Sequence, residues 1–363
     1  MRLRRLLGAG LAAGLGMPVA LASPAAAATI VVGPGQSIQA AIDRADPGDV
    51  VVVEAGVYRE QLNIYEDNIT LRGQNAVLKP PRQLRPNNCA DGPGQPSRDG
   101  ICIFAGVNEQ GTIQISNVRV SGFSVLNFPG TGILALFGDR VTIEDNRAVD
   151  NGEYGIAAFS SQRTTFRTNR VEGSSEAGLY LGDTTGPGNL VTGNYAAGNG
   201  LFGLFVRDAL GGTVSGNTAV DNCSGFMFLD TPSNGVGNTA GWRITENVAS
   251  HNDEVCTPDD EGDPPVAGAG IVLLGAQSTT VEENTVQDHD GRGNPSIASG
   301  GIVLADATEL GGGVAAANVI RFNTARRNLP NDIDASGAAG VNMIKHNVCQ
   351  RSDPAELCQQ SSP

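Results

Sequence analysis

A motif with a basal period of 23 residues recurs along the chain and is clearest between Val118 and Val303. It runs as an apolar residue, two variable positions and an Asn, with a small apolar residue two places on; nine residues after the Asn comes a Gly that opens a short aliphatic run. The Asn column reads Asn146, Asn169, Asn194, Asn217, Asn247, Asn284, Asn323 and Asn347, and the Gly column Gly132, Gly155, Gly178, Gly203, Gly225, Gly270 and Gly301. Short β-favouring runs separated by Gly, Asn and Asp at such a period describe a solenoid, because one coil of this length can bury its apolar face only against the next. Aromatic residues make up only 5% of the chain while Gly numbers 49, which suits stacked thin coils better than a globular core.

The apolar parity predicts which side chains point inward. Three residues before the column Asn stand Ile143, Phe166, Val191, Val214, Ile244, Val281 and Ile320, and two after it Ala148, Val171, Ala196, Ala219, Ala249, Val286 and Ala325. The first and third residues after each column Gly belong to the same interior. Departures from the period mark decoration of the coils. Asn-to-Gly lengthens from nine residues to 23 between Asn247 and Gly270 and to 17 between Asn284 and Gly301. These inserts, 252–268 and 287–300, leave the same corner of adjacent coils, and a Pro-rich polar loop covers 79–100. Long loops on a rigid stack are where binding walls are built, which places the functional half late in the chain.

Gln36 to Asp43 carries apolar residues at helical spacing with Ser37 as a cap, and predicts a short helix that lids the open end of the stack. Ile38-Gln-Ala-Ala-Ile-Asp43, Gly48-Asp-Val-Val-Val-Val53, Gly56-Val-Tyr-Arg-Glu60 and Ile69-Thr-Leu-Arg-Gly73 together resemble the opening of pectin-lyase-like right-handed parallel β-helix proteins. The later Asn and Gly columns resemble the generic repeat of the same superfamily. The resemblance implies an all-β, single-stranded right-handed parallel β-helix over residues 29–363.

Residues 1–28 are expected to be a signal peptide: Met1-Arg-Leu-Arg-Arg5 is basic, Leu6–Ala22 apolar, and Ala26–Ala28 fits a cleavage site. No later stretch is long and apolar enough to insert in a membrane, so a secreted protein is expected. Loss of three leader arginines leaves 21 basic against 38 acidic side chains, a balance that excludes nucleic acid and anionic membranes as partners. Six cysteines in an exported chain predict disulfides. The coil alignment pairs Cys223 with Cys256, leaving Cys89–Cys102 to clip a loop and Cys349–Cys358 the tail.

Three rows of residues carry candidate chemistry. Four places after the column Asn stand Asp221, His251, Asp288 and Arg327, with His289 in the next row where other coils have Asn151, Asn199, Asn222, Asn252 and Asn328. Coils stack about 4.8 Å apart, so an acid, an imidazole and a guanidinium here can move protons on a sugar ring and neutralise developing charge. The same corner also needs turn residues, which Asp, Asn and Gly supply throughout the chain. Five after the column Gly come Asp183, Asp208 and Asp230, a candidate Ca²⁺ site or a neighbouring carboxyl pair of the retaining-glycosidase kind, against the simpler reading that each Asp opens its turn. Two after the column Gly, an outward position, lie Tyr180 and Phe205, placed to stack on sugar with Arg207 beside them, unless a loop or partner covers the stripe.

Superfamily members include lyases, hydrolases, esterases and epimerases of polysaccharides, and phage tailspikes. The methylesterase Gln-Asp and Asp-Phe-Ile-Phe-Gly motifs are missing, as are the Gly-His-Gly and Arg-Ile-Lys of polygalacturonases. Asp288-His-Asp290 resembles the Asp-Pro-His-Asp site of alginate epimerases and related lyases without its Pro. The expected function is binding and cleavage of a polysaccharide; the alternative is a non-catalytic β-helix that binds a surface glycan or a protein.

Overall fold

The computed structural model describes residues 27–90, 94–184, 186–231, 239–257 and 265–358. The expected leader falls almost wholly outside them, as does the acidic stretch 259–263 of the first insert. In a typical coil three short strands, Thr142–Glu144, Arg147–Val149 and Ile156–Phe159, are separated by sharp corners. Each pairs in parallel with its counterpart one coil on, Thr165–Arg167, Arg170–Glu172 and Ala177–Gly182. Repetition merges the first two strands of the coils into a 20-stranded sheet and the third into an 11-stranded one. The expected parallel β-helix is therefore what the chain forms.

The interior follows the parity of the sequence. Ile143, Phe166, Val191, Val214, Ile244, Val281 and Ile320 form one fully buried row, with Ala148, Val171, Ala219, Ala249, Val286 and Ala325 another, and both join one continuous cluster. At the start, the helix Ile38–Ile42 closes the stack by burying Ile38, Ala41 and Ile42. Ser37 Oγ accepts from the Ala40 N–H, and the Glu60 carboxylate accepts from the N–H groups of Ile38 and Gln39 at 2.9 and 3.1 Å. Those donors have no partner inside a helix, and the dipole favours an anion there.

Corners are built from a fixed pair of residues. The residue before each column Asn adopts left-handed backbone, among them Asp145, Thr168, Glu246, Glu283 and Phe322 at φ 51–59°. This conformation costs energy for any side chain with a Cβ, and more for β-branched ones. What over-determines it is the Asn that follows, whose side chain turns inside the stack and is 1–3% exposed or less. Asn217 Nδ2 donates to the Val191 carbonyl of the previous coil and to Asn247 Oδ1 of the next, both at 2.9 Å; its own Oδ1 accepts from the Asn194 N–H. The pattern repeats from Asn146 through Asn323 to Asn347, so the amides form a ladder along the axis. A second, shorter ladder runs through Asn199, Asn222 and Asn252 at the next corner.

The disulfides are the Cys223–Cys256 pair that the coil alignment favours and the two clips expected beside it, Cys89–Cys102 and Cys349–Cys358. The second insert is one residue narrower at each edge than expected, because strands run to Gln287 and restart at Gly300. Two carboxylates on the outer side of the 20-stranded sheet are buried between arginines. Glu144 is paired with Arg119 and Arg167, and Glu282 with Arg243 and Arg321. Among the described residues no helix is long and apolar enough to cross a membrane.

Replacing one rung strands a buried carbonyl and N–H, each worth roughly 1–3 kcal/mol. Asn217→Ala is expected to lower stability by roughly 2–4 kcal/mol in urea unfolding, whereas the outward Thr213→Ala on the same coil should stay within about 0.5 kcal/mol.

Candidate functional site

The corner row that the sequence singled out is the left-handed position of the second ladder. Asp221, His251, Asp288 and Arg327 take φ of 54°, 52°, 61° and 56°, so their side chains project outward at successive corners. Arg327 grips Asp288 with two hydrogen bonds, Nε to Oδ1 at 2.5 Å and Nη2 to Oδ2 at 2.7 Å. His251 Nε2 stands 4.0 Å from the same carboxylate, with 58% of its side chain exposed. The Arg327 guanidinium holds the Asp288 carboxyl below the usual carboxylate range, and Asp288 in turn raises Arg327. Asp221 is exposed one coil away. The structure thus brings three of the five expected catalytic residues together at one exposed edge.

His289 lies elsewhere. Its ring points into the stack and is fully buried, in the place where neighbouring coils have ladder Asn. Nδ1 accepts the Asn252 N–H at 3.2 Å, and the His289 N–H donates to Asn328 Oδ1 at 3.3 Å. The imidazole therefore imitates the amide oxygen of an Asn. A Cβ on Gly270 would come within 2.8 Å of Nε2, so the larger ring is accommodated by that glycine. Burial drives the His289 pKa down to about 4, while the Ala249 and Asn252 backbone groups push the other way.

Asp183, Asp208 and Asp230 are engaged by their own surroundings. Asp208 is buried, accepting from the Thr231 N–H at 2.5 Å and hydroxyl at 3.0 Å, with Arg207 Nε 3.6 Å away. Asp230 accepts the N–H groups of Thr239 and Gly313. Asp183 occupies a left-handed corner at φ 53°. Among the described residues no group of three or more His, Cys, Asp or Glu is arranged to hold a metal ion.

The outward stripe of the 11-stranded sheet is flanked by two segments that pack over it. On one side the loop held by Cys89–Cys102 packs over Phe104, Leu134 and Ala157; on the other, Val266, Ile297 and Ala298 of the inserts cover Met227, Val272 and Val303. Between them lies an aromatic floor. Tyr180, 3% exposed, is its base, stacked on Phe159 at 4.5 Å and flanked by Tyr154 at 4.6 Å and Phe205 at 5.3 Å between ring centroids. The ring lies flat because residue 182 is Gly; a Cβ there would be 2.2 Å from Tyr180 Oη. Tyr154, Phe159 and Phe205 remain half-buried and offer ring surface to solvent.

Charged groups rim this floor. Glu153 and Glu176 occupy one column on consecutive coils, joined by the Glu176 N–H to Glu153 carbonyl bond. Arg98 of the loop pairs with Glu153, and Arg207 reaches Thr231 Oγ1 at 3.0 Å. Tyr154 hydrogen-bonds Glu176; burial, and then that carboxylate, hold the phenol protonated well above the usual tyrosine range. Of the expected substrate-binding residues, Phe205 and Arg207 border the open surface, and Tyr180 supports it from beneath. Sequence reasoning missed Tyr154, Phe159, Glu153, Glu176 and Arg98. The signal available was an acid two places before the column Gly on consecutive coils, within the stretch richest in aromatic residues.

With this geometry in hand, the chain is assigned to a class: it belongs to the family described as the right handed beta helix region, whose model matches residues 83–240 and 173–311. No curated protein sequence matches it. Among solved structures it is similar to a mannuronan C-5 epimerase A-module of Azotobacter vinelandii, at 19% identity and TM-score 0.60, covering 85% of this chain and 89% of that one. It is also similar to a family 28 exopolygalacturonase of Yersinia enterocolitica, at 16% identity and TM-score 0.54, over 84% and 71% of the two chains. A third, the pectate lyase Pel9A, aligns at 13% identity and TM-score 0.50 over 91% and 79%. At these identities the likeness establishes the fold.

The His289 rung carries a pH prediction. A folded-state pKa near 4 against an unfolded value near 6.5 means that the unfolded chain binds the proton first. Stability from this site is complete above about pH 6.5, falls as pH drops toward 4 and levels off below, a loss of roughly 3 kcal/mol at most. His289→Asn, which restores the amide, should flatten that stretch of the melting-temperature profile.

Proposed function

We propose that this protein binds a polysaccharide in the groove over the 11-stranded sheet and cleaves it there, with Glu176 and Tyr154 as the acid–base pair. The observation that carries this is the half-exposed aromatic floor set between two walls, with a carboxylate and a protonated phenol hydrogen-bonded at its edge. Sugar rings present apolar C–H faces that stack on aromatic rings, and a concave apolar surface with few convergent polar groups is the usual form of a ligand site. A carboxylate can take a proton from a sugar carbon or an attacking water, and a phenol can give one to the leaving oxygen, each contributing typically 10²–10⁴-fold. Arg207 stands at the opposite rim to steady charge on the substrate. Three disulfides support an oxidising compartment and hence export. Polysaccharide-acting names among the structural neighbours agree with this reading.

A second reading, a non-catalytic glycan-binding protein, is favoured by one observation. The Asp288 carboxylate is tied to Arg327, which lowers its basicity, and Glu153 is paired with Arg98. If the protein is an enzyme, the rival location for the chemistry is the His251, Asp288 and Arg327 edge.

Product release from acidic and neutral polysaccharides, with and without Ca²⁺, tests these readings. New reducing or unsaturated ends are expected, and Glu176→Gln should cut their rate by about 100-fold or more at unchanged melting temperature. Loss in His251→Ala instead of Glu176→Gln would move the chemistry to the edge. Silence across the panel, with sugar still bound, would leave the binding protein.

A further inference from the structure

The charge pattern around the groove says which polysaccharides it can hold. Resting on the binding reading above, we infer that the ligand is an uncharged hexose or pentose polymer, not a polyuronate. Four carboxylates, Glu153, Glu176, Asp183 and Asp208, surround the floor, against two guanidinium groups, Arg98 and Arg207. Arg98 is held by Glu153, and Arg207 lies 3.6 Å from the Asp208 carboxylate and donates to Thr231. The rim therefore has no net positive charge to offer a row of uronates.

A polyuronate would set one carboxylate per sugar against this rim, within the roughly 8 Å over which charges act at physiological salt. The chain as a whole carries a formal charge of −14, so the long-range field opposes its approach as well. Among the described residues no group of three or more His, Cys, Asp or Glu is arranged to hold a cation that could bridge to the ligand. What the floor does provide is ring surface. Tyr154 and Phe159 on one coil and Phe205 two coils on stay partly exposed, with Tyr180 of the coil between packed against all three, so the ring surface runs along the stack axis over about 10 Å. Stacking of this kind needs no charge on the ligand and is insensitive to salt.

Affinity electrophoresis separates the possibilities. The protein is run through gels containing xylan, glucomannan, polygalacturonate or alginate, at low and at 0.5 M-order salt, beside Phe205→Ala and Phe159→Ala checked for folding by circular dichroism. Retardation by a neutral polymer is expected, little changed by salt and weakened at least fivefold in either variant. Retardation by a polyuronate, relieved in those variants, would overturn the inference about charge while keeping the groove as the binding site. Neutral-polymer retardation that both folded variants retain would overturn the groove itself. No retardation in any gel would overturn the binding reading and the inference with it.

Discussion

The buried amide ladder is the interaction on which the rest of the molecule depends. A coil that turns three times in 23 residues brings backbone N–H and C=O groups at its corners into an apolar interior, where no water can pair them. An Asn side chain carries both a donor pair and an acceptor, so one residue per corner closes a carbonyl and an N–H of the coil before. Each rung also bonds the next rung, which fixes the registry of coil on coil. The cost is a left-handed residue immediately upstream, and the ladder holds it there even when that residue is Thr168 or Phe322. Fold and surface are in this way separated: the inward residue of the pair is constrained, the outward one is not.

This separation explains what the sequence disclosed. The period, the inward parity, the lid helix, the inserts and the cysteine pairs are all local or coil-to-coil properties, and each is visible as a column when repeats are laid over one another. His289 misled because it was judged against its exposed neighbours Asp288 and His251 instead of against its own column. There it replaces Asn and does the work of an amide oxygen with Nδ1. The row expected to hold Ca²⁺ has partners of its own. Asp208 and Asp230 share a column, but their carboxylates answer backbone N–H groups of Thr231, Thr239 and Gly313, partners that alignment of coils does not reveal.

The groove was the least legible part, for a physical reason. It is made where a loop from residues near 90 meets coils near 155 and 180, and where inserts beyond 265 fold back over the same sheet. Contacts of that sequence separation leave no periodic trace. Tyr180 and Phe205 were recognised as outward apolar residues, yet their partners Tyr154 and Phe159 sit one coil earlier at other offsets. Buried Glu144 and Glu282, each between two arginines, show that an acidic side chain on this scaffold is as readily structural as chemical. Glu176 differs from them by its partner, a phenol, and by its place beside open aromatic surface.

The inserts leave and rejoin the stack at hydrogen-bonded points. Gly300 returns its N–H to the Gly268 carbonyl at 2.8 Å, and the strand that follows falls straight into parallel register with Ala269–Leu274. In the first insert the strands Val255–Cys256 and Val266–Ala267 pair only with each other, apart from the two large sheets. The walls of the groove are thus modular: one can be lengthened, shortened or exchanged in descent without renegotiating the coils beneath. A lineage built on this frame can change what it grasps by altering a single hairpin, while the part that must fold is inherited intact.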